Sequence, residues 1–393
     1  MKILYDHQIF SMQNYGGISR YFYELMTRIR RTPGMELEHS VLYSSNEYLK
    51  DRELFPLEKK YGFNDFLPSI RFRGMYRIFR FLQYLGLIPF PERKMNCLIE
   101  NKIKHLDFDV FHPTYYSPYF LKSLSKRKKP FVLTVYDLIH EKFPQYFSDA
   151  KEVIQNKKSL IEKADLIIAI SESTKRDLLT FYNISENKVK VVHLGASLAE
   201  NSFIESIAVS SDRYILFTGN RAHYKNFIFF LRSISSLFQR FTDVFLYCAG
   251  GGSFTSEEVS IFEELNLENR IRHVSFENDE GLATYYKNAL LFVFPSQYEG
   301  FGIPLLEAFS CGCPVACSDT SSFPEVAGDA AFYFNPNDSE SIYNSVSEAI
   351  ENEDLRKQKI SNGKIQIQKF SWNRAAVETL QFYYDVIKEC STN

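Results

Sequence analysis

The sequence has little of what marks membrane-spanning, secreted or disulfide-stabilised proteins. Its apolar runs stay well short of the roughly 18 residues that cross a bilayer. The first ten residues, MKILYDHQIF, lack the apolar core and cleavage site of a signal peptide. Six cysteines among 393 residues are too few for a disulfide framework. We therefore expect a protein of the reducing cytoplasm.

Two ligand classes also have little support. A formal net charge of −2 gives no reason to expect the whole molecule to bind nucleic acid. Cys311, Cys313 and Cys317 form a C-x-C-x3-C cluster with no histidine nearby, a spacing that does not match structural zinc sites. We expect these cysteines to be small core residues, and we predict neither a metal site nor a nucleic-acid partner.

Apolar strands alternate with helical segments along most of the chain, a pattern typical of βαβ units and parallel sheets. The predicted strands are 2–5, 41–43, 109–112, 131–136, 166–170, 188–192, 214–218, 244–249, 271–276, 290–294 and 314–317. The length favours two domains, so we predict an α/β fold with two Rossmann-like, doubly wound parallel sheets. The N-terminal domain would cover 1–195 and a linker 196–212. The C-terminal domain would cover 213–371, with the final helix, about 372–390, crossing back onto the N-terminal domain.

The stretch 290–324 combines a short buried strand, a glycine-containing loop and a helix. Gly300 and Gly302 allow a tight backbone path. The free N–H groups and the dipole at the start of the helix form a site for an anion such as phosphate. Glu299 precedes the loop, and Glu307 lies one turn into an otherwise apolar helix. Because a buried carboxylate needs a partner, a hydroxyl pair of a sugar or ribose would suit this position.

The N-terminal part repeats this arrangement. Gly16 and Gly17 lie in a loop between the first strand and a helix that begins near Ile18. Open α/β sheets bind ligands beyond the carboxyl ends of their strands. The two glycine loops are therefore predicted to face each other across a cleft between the domains.

The segment TGNRAHYKNF follows the first strand of the C-terminal domain. It contains Gly219, Arg221 and Lys225 immediately before a helix. The two cations could bind a pyrophosphate and neutralise the charge that grows on a departing diphosphate. The alternative is that both are solvated charges on a surface loop.

The segment 69–94, SIRFRGMYRIFRFLQYLGLIPFPERK, mixes arginines with aromatic residues. Arg73, Arg77 and Arg80 share one face of a predicted amphipathic helix. Such a helix suits a membrane surface, where anionic headgroups would also attract the basic run 126–129. The alternative is a helix packed on its own domain with a solvated basic face.

The run EGFGIPLLE, residues 299–307, resembles the E-x7-E signature of the retaining nucleotide-sugar glycosyltransferases of family 4, which have the GT-B fold. The resemblance extends to the flanking residues 279–338 and to TGNRAHYKNF. It also includes NYGGISRYFYEL and AISESTKRDLL, so it covers nearly the whole chain. The N-terminal and middle segments are most similar to the mannosyltransferase B-like branch, whose members build surface polysaccharides.

The resemblance implies roles for the C-terminal residues. Glu299 would contact hydroxyls of the donor sugar and Glu307 would hold the nucleotide ribose. Phe301, Gly302 and Ile303 would present backbone N–H groups to the sugar and diphosphate.

Cations and glycines of the other loops match the family as well. Lys225 would bind the diphosphate, with Gly219 beside it in the donor site. Arg221 matches less well, because the family arginine stands five or six residues before the lysine and Arg221 stands four before it. Gly16 and Gly17 would approach the diphosphate across the cleft.

One departure concerns the strand 131–136. Many family members have His-Asp at its end, where the histidine contacts the sugar, whereas this chain has Tyr136 and Asp137. His112 or His140 could take the place of that histidine, and packed or solvent-facing positions are the alternative for each. All four residues are candidates for sugar or acceptor contacts.

The resemblance thus implies a cytoplasmic retaining enzyme. It would move a hexose-type sugar from a nucleotide-diphosphate sugar to a glycan or lipid-linked acceptor, in bacterial surface polysaccharide synthesis, without metal or other cofactor. Peripheral contact with the inner membrane face would involve 69–94. Three alternatives remain open: a nucleotide-sugar epimerase of the same fold, a catalytically silent nucleotide-binding subunit, and a glycoside hydrolase that uses the paired glutamates.

Overall fold

The computed structural model describes residues 1–49, 53–58, 75–84, 91–126, 129–196, 198, 212–276 and 278–392. Most of the predicted linker 196–212 and much of the segment 69–94 lie outside these ranges. The strands are β1 (Lys2–Tyr5), β2 (Glu36–His39), β3 (Val110–His112), β4 (Val132–Val135), β5 (Leu166–Ala169), β6 (Val189–Val191), β7 (Arg213–Thr218), β8 (Val244–Ala249), β9 (Ile271–Val274), β10 (Leu291–Phe294), β11 (Val315–Ser318) and β12 (Ala331–Phe334).

Helices connect the strands and cover the sheets. The α-helices are α1 (Gln8–Met12), α2 (Gly17–Arg31), α3 (Met75–Tyr84), α4 (Pro91–His105), α5 (Leu121–Leu124), α6 (Ile139–Lys142), α7 (Ala150–Lys163), α8 (Glu172–Phe181), α9 (Phe227–Ile234), α10 (Leu237–Arg240), α11 (Ser256–Glu264), α12 (Asp279–Asn288), α13 (Ile303–Ser310), α14 (Phe323–Ala327), α15 (Ser339–Glu351), α16 (Glu353–Gln366) and α17 (Trp372–Thr392). Short 3-10 helices are Pro144–Tyr146, Glu186–Lys188, His223–Lys225, Gly328–Ala330 and Ile367–Lys369.

The N-terminal sheet is parallel. Strands β2, β1 and β3 pair in that order, and β4, β5 and β6 pair in that order. A parallel bridge between Phe111 and Phe131 joins the two groups. The resulting order, β2-β1-β3-β4-β5-β6, changes direction between β1 and β3. The loops that follow these two strands therefore open toward a ligand crevice.

The C-terminal sheet is also parallel, with the order β12-β11-β10-β7-β8-β9. Read from β9, this is the doubly wound order 3-2-1-4-5-6, in which the direction changes between β7 and β10. The Gly219 loop follows β7 and the Glu299 loop follows β10. The topology thus places both predicted donor loops at the position where such sheets bind ligands.

The α/β fold with two parallel sheets is confirmed, but the second strand was predicted wrongly. It lies at Glu36–His39, which pairs in register with Lys2–Tyr5, rather than at 41–43. The strand is at the sheet edge and has partly exposed charged side chains, so it lacks the apolar run that marks a central strand. Val41 is buried just after the strand. Strand Ala331–Phe334 was not predicted.

Helix α17 packs against the N-terminal part of the molecule. Tyr383 lies fully buried, with its hydroxyl 2.9 Å from that of Tyr5 in β1. At the start of the helix Trp372 is buried against Gly195, where an added Cβ would lie 2.3 Å from the Trp372 backbone nitrogen. The last helix therefore joins the end of the C-terminal sheet to the N-terminal sheet.

Among the described residues, no helix has both the length and the apolar character needed to cross a bilayer. The segment 69–94 is only partly described. Within it α3 is helical, with Met75 buried and with Arg77, Ile78 and Phe81 exposed, whereas Arg73 lies outside the described residues. Membrane-surface contact through this segment stays a prediction.

Candidate active site

The two glycine loops meet between the domains. A Cβ built on Gly17 would lie 3.4 Å from Cδ1 of Ile303, at the start of α13. One at Gly300 would lie only 1.8 Å from the carbonyl oxygen of Tyr136, so this close approach requires glycine. Gly302 has φ of 103° and begins α13. The N-terminus of this helix therefore opens into the cleft, where its N–H groups can meet an anion.

Lys225 and Glu299 form the polar centre of this cleft. The lysine Nζ lies 2.5 Å from Oε1 of Glu299, and the two side chains are 20% and 16% exposed. Burial works to lower the pKa of Lys225, but Glu299 and Tyr224 outweigh it and raise that pKa. The lysine is therefore a stable cation, with Glu299 as its counterion.

The turn that carries Lys225 is held in an uncommon backbone conformation. His223 and Asn226, which lie on either side of Lys225 in the chain, have φ of 52° and 62°, values that residues other than glycine rarely adopt. The Asn226 amide donates to the carbonyl of Pro336 at 2.7 Å. From the opposite domain the Tyr146 ring stacks on His223 with centroids 4.8 Å apart. Strain of this kind persists where surrounding contacts over-determine it, as at functional sites.

Ser321 and Ser322 form hydrogen bonds with the backbone of the Glu299 loop. The hydroxyl of Ser322 donates to the carbonyls of Glu299 and Phe301, at 3.0 and 2.8 Å. The backbone N–H of Glu299 donates to Oγ of Ser321 at 3.1 Å. Phe301 itself is buried, so its backbone rather than its side chain is available to a ligand.

Glu307 is buried at the other end of the cleft. Its carboxylate contacts Nη1 of Arg20 at 3.3 Å and accepts from the Tyr286 hydroxyl at 3.5 Å. Burial raises the pKa of Glu307 to about 7, against the opposing attraction of Arg20. The role of Glu307 in donor binding stays a prediction, and its contact with Arg20 was not predicted.

Arg221 is placed differently from the prediction. Its Nε donates to Glu258 at 2.6 Å, and its other nitrogens donate to the carbonyls of Gly250, Gly252 and Ser253. The guanidinium thus holds a loop of three glycines with positive φ and is itself buried. Because its donors are used within its own domain, we assign Arg221 a structural role rather than a catalytic one.

His112 and Tyr136 are also core residues. The His112 ring lies between the hydroxyls of Tyr383 and Thr134, and burial lowers its pKa to about 3. The Tyr136 hydroxyl donates to the carbonyl of Thr114 at 2.9 Å, inside the N-terminal domain. Neither side chain reaches the cleft, so neither replaces the family histidine. The part of Tyr136 that lies at the contact between the domains is its backbone carbonyl, which Gly300 approaches.

Asp137 and His140 remain candidates. Asp137 is partly exposed and lies against Gly300, where an added Cβ would be 3.1 Å from Cβ of the aspartate. His140 is half-buried, its ring 4.4 Å from that of Phe147, and burial lowers its pKa. Its Nδ1 has no hydrogen-bond partner among the described residues. Both lie on the N-terminal side of the cleft, where an acceptor could reach them.

Glu325 links the domains beside the site. Its carboxylate accepts from the backbone N–H groups of Glu172 and Ser173 at the start of α8, and from Nε2 of His193 at 2.6 Å. Burial works to raise its pKa, but these three donors lower it overall. A carboxylate of the C-terminal domain thus caps a helix of the N-terminal domain.

We expect Glu325→Gln to lower the free energy of unfolding by about 1 kcal/mol at pH 7. A carboxylate whose folded pKa is depressed contributes stability above its unfolded value, and that contribution is lost as pH falls through the folded pKa. The difference between wild type and variant should therefore begin to shrink as pH falls below the usual value of 4.5 and should disappear below the depressed pKa of the folded protein. Urea unfolding from pH 3 to 7 measures it. An unchanged difference at low pH would contradict the assignment.

In the described part of the chain no group of three or more histidine, cysteine or acidic side chains is arranged to hold a metal ion. Cys313 and Cys317 are buried, as expected for core residues, while Cys311 is partly exposed. The expectation that no metal takes part stays a prediction.

Two family models match the sequence. The model for glycosyl transferases group 1 matches residues 199–366, and that for glycosyltransferase family 4 matches residues 15–200. The O-antigen chain mannosyltransferase B of Escherichia coli is 28% identical over 306 residues, which cover 75% of this chain and 77% of the relative.

Two further comparisons bear on the ligands and the fold. A Campylobacter jejuni enzyme is 28% identical over 57% of this chain and 61% of its own; its name is N-acetylgalactosamine-N,N'-diacetylbacillosaminyl-diphospho-undecaprenol 4-alpha-N-acetylgalactosaminyltransferase. The structure of Anabaena HepE in complex with UDP and glucose superposes with a TM-score of 0.69 and 16% identity, covering 97% of this chain and 99% of HepE. Because the two family matches together span residues 15–366 and the fold is that of these enzymes, the chain belongs to the GT-B glycosyltransferases of group 1 and family 4.

Proposed function

We propose that the protein is a retaining glycosyltransferase that takes a hexose-type sugar from a nucleotide-diphosphate sugar. The observation that carries the proposal is the Lys225–Glu299 pair, which lies next to the loop that leads into α13, while the first residue of α13 approaches Gly17 of the opposite domain. A cation and free N–H groups suit a diphosphate, and the adjacent carboxylate of Glu299 suits sugar hydroxyls. Glu307, one turn further along α13, would hold the ribose.

The chemical step follows from these positions. As the bond between the anomeric carbon and the diphosphate oxygen breaks, its electron pair stays on that oxygen. Lys225 and the N–H groups at the start of α13 stabilise the resulting charge. The same oxygen accepts the proton of the acceptor hydroxyl, whose oxygen bonds to the anomeric carbon on the face that the diphosphate leaves. The products are the nucleoside diphosphate and a glycoside of unchanged anomeric configuration, and no nucleophile of the protein is needed.

We further propose that the acceptor is a glycan or a lipid-linked oligosaccharide of a bacterial surface polysaccharide. The names of the E. coli and C. jejuni relatives, an O-antigen chain enzyme and one acting on a diphospho-undecaprenol, support this class. The N-terminal side of the cleft, with Asp137 and His140, would receive the acceptor. We place the enzyme in the cytoplasm, with peripheral membrane contact through 69–94. Liposome flotation tests that contact.

A panel of UDP-, GDP- and other activated sugars, incubated with and without a membrane extract as acceptor source, tests the proposal. We expect nucleotide release that depends on the acceptor, and NMR of the product should show a retained anomeric configuration. Activity should survive dialysis against EDTA, since the proposed step uses no metal. Conversion of the donor without acceptor would indicate an epimerase, release of free sugar from oligosaccharide a hydrolase, and binding without turnover a silent subunit. An inverted anomeric centre would contradict the mechanism.

A further inference from the structure

Arg20 reaches across the cleft from the N-terminal domain to two carboxylates of the C-terminal domain. It lies on α2, three residues after Gly17. Its Nη2 is 2.5 Å from Oδ2 of Asp279, and its Nη1 is 3.3 Å from Oε1 of Glu307. The arginine side chain is only 7% exposed. A cation of one domain is thus buried against the carboxylate that the proposed function assigns to the donor nucleotide.

The guanidinium is fixed by its surroundings. Tyr15 donates its hydroxyl to Oδ1 of Asp279 at 2.6 Å, which orients the carboxylate that binds Arg20. The Tyr48 ring centroid lies 5.5 Å from the guanidinium carbon of Arg20. The Tyr15 ring packs against the Tyr48 ring, with their centroids 5.1 Å apart. Burial works against the charge, but Asp279 and Glu307 outweigh it and raise the pKa of Arg20. The arginine is therefore a preorganised cation.

Two neighbouring groups retain unused hydrogen-bonding capacity. Nε of Arg20 is buried and has no partner among the described residues. A buried donor without a partner is destabilising. Both contacts of the Glu307 carboxylate are long, at 3.3 and 3.5 Å. One group requires an acceptor and the other a donor, and a hydroxyl supplies both.

We propose that Arg20 is a ribose-binding residue that the N-terminal domain contributes to the donor site. A ribose hydroxyl donates to Glu307 and accepts from Arg20, while Asp279 holds the guanidinium in place. The inference rests on the proposed function, in which a ribonucleotide sugar is the donor. It adds that recognition of the ribose requires both domains, so that the nucleotide binds most tightly when the cleft is closed.

Calorimetric titration of the full chain with UDP, GDP, ADP and CDP, and with the 2′,3′-dideoxy form of each one bound, tests this proposal. We expect wild type to bind its preferred ribonucleotide at least about tenfold more tightly than the dideoxy form, a difference typical of a lost hydrogen bond to a charged group. Arg20→Ala should weaken ribonucleotide binding about tenfold and leave dideoxynucleotide binding within twofold. Arg20→Lys, which keeps the charge but lacks the guanidinium fork, should show the same loss of discrimination.

Arg31→Ala is the matched control, because this arginine is exposed at the end of the same helix. It should change neither affinity, and circular dichroism should show all the variants folded. Equal weakening of both nucleotide forms by the two Arg20 variants would overturn the proposal, as would unchanged discrimination. If wild type bound none of the four ribonucleotides, the proposed function would fail, and the Arg20 proposal with it. If wild type binds a ribonucleotide but the Arg20 variants give either of these results, the Arg20 proposal fails while the proposed function stands.

Discussion

Lys225→Ala is expected to lower kcat by about 10²- to 10³-fold, the usual cost of removing one preorganised group that stabilises a developing anion. The reason is that Lys225, paired with Glu299 just before the loop that leads into α13, is the cation that the proposed step places beside the departing diphosphate. KM for the donor should rise far less than kcat falls, because the charge that the lysine meets grows mainly in the transition state. Steady-state kinetics with the preferred nucleotide sugar measure both parameters.

The control for this variant is Lys364→Ala, which removes an exposed lysine of the same domain. It should leave kcat and KM unchanged. Because Lys225→Ala leaves the partly buried Glu299 without its counterion, the double variant Lys225→Ala/Glu299→Ala separates instability from catalysis. Recovery of thermal stability in the double variant would identify the unpaired carboxylate as the cause of any instability, and a Lys225→Ala enzyme that is folded at the assay temperature but has lost turnover supports the assignment. A Lys225→Ala enzyme with wild-type kcat would refute it.

Gly300→Ala is expected to lower kcat/KM by at least about 100-fold, with little effect on the stability of either domain. The added Cβ would lie 1.8 Å from the Tyr136 carbonyl oxygen and 2.9 Å from its carbon. Backbone atoms of the two loops that follow β4 and β10 cannot yield by that amount locally, so the cleft must open. An opened cleft separates Lys225 from the N-terminal half of the site, and misplacement of reacting groups by about 1 Å can cost two orders of magnitude. Kinetics and small-angle X-ray scattering report the two effects.

Gly34→Ala provides the comparison for this substitution. Gly34 has φ of 78° in a turn, and no atom lies within 4 Å of an added Cβ. Alanine there should cost roughly 1 kcal/mol of stability through backbone strain and leave kcat/KM unchanged. If Gly300→Ala were fully active, or inactive with an unchanged scattering profile, the cleft-opening account would be wrong.

The local part of the site was predictable from sequence. Strand β10, the Gly300–Gly302 loop and helix α13 are consecutive, so Glu299 and Glu307 take positions that their spacing alone indicates. Lys225 follows β7 in the same way. The doubly wound strand order then brings these loops together, because β7 and β10 are the neighbours at which the order reverses.

Contacts that depend on distant residues were not predictable. Arg20 meets Asp279 and Glu307, which stand 259 and 287 residues away in the chain. The only local signal was its place one turn after the glycine pair. Arg221 is a loop residue whose partner Glu258 lies on α11, so its local sequence did not reveal the ion pair. His112 is a candidate ligand by sequence alone, because nothing near it in the chain shows that Tyr383 of the last helix binds it in the core.

The predicted position of the second strand was wrong for a related reason. Glu36–His39 lies at the edge of the sheet and pairs with one neighbour, so its side chains need not be apolar. Val41 is buried by tertiary packing after the strand has ended. A short apolar run alone did not distinguish these two situations.

The contact of Gly195 with Trp372 has a mechanical consequence. Gly195 follows β6 at the end of the N-terminal domain and Trp372 begins α17, so the last residues before the linker touch the start of the helix that returns to this domain. A rotation of the two domains about this contact keeps Gly195 and Trp372 close together. In such a rotation the atoms far from Trp372 travel furthest. Gly195→Ala would place a methyl group against the backbone of Trp372. We expect it to change the rate at which the cleft opens more than the affinity for the ligand.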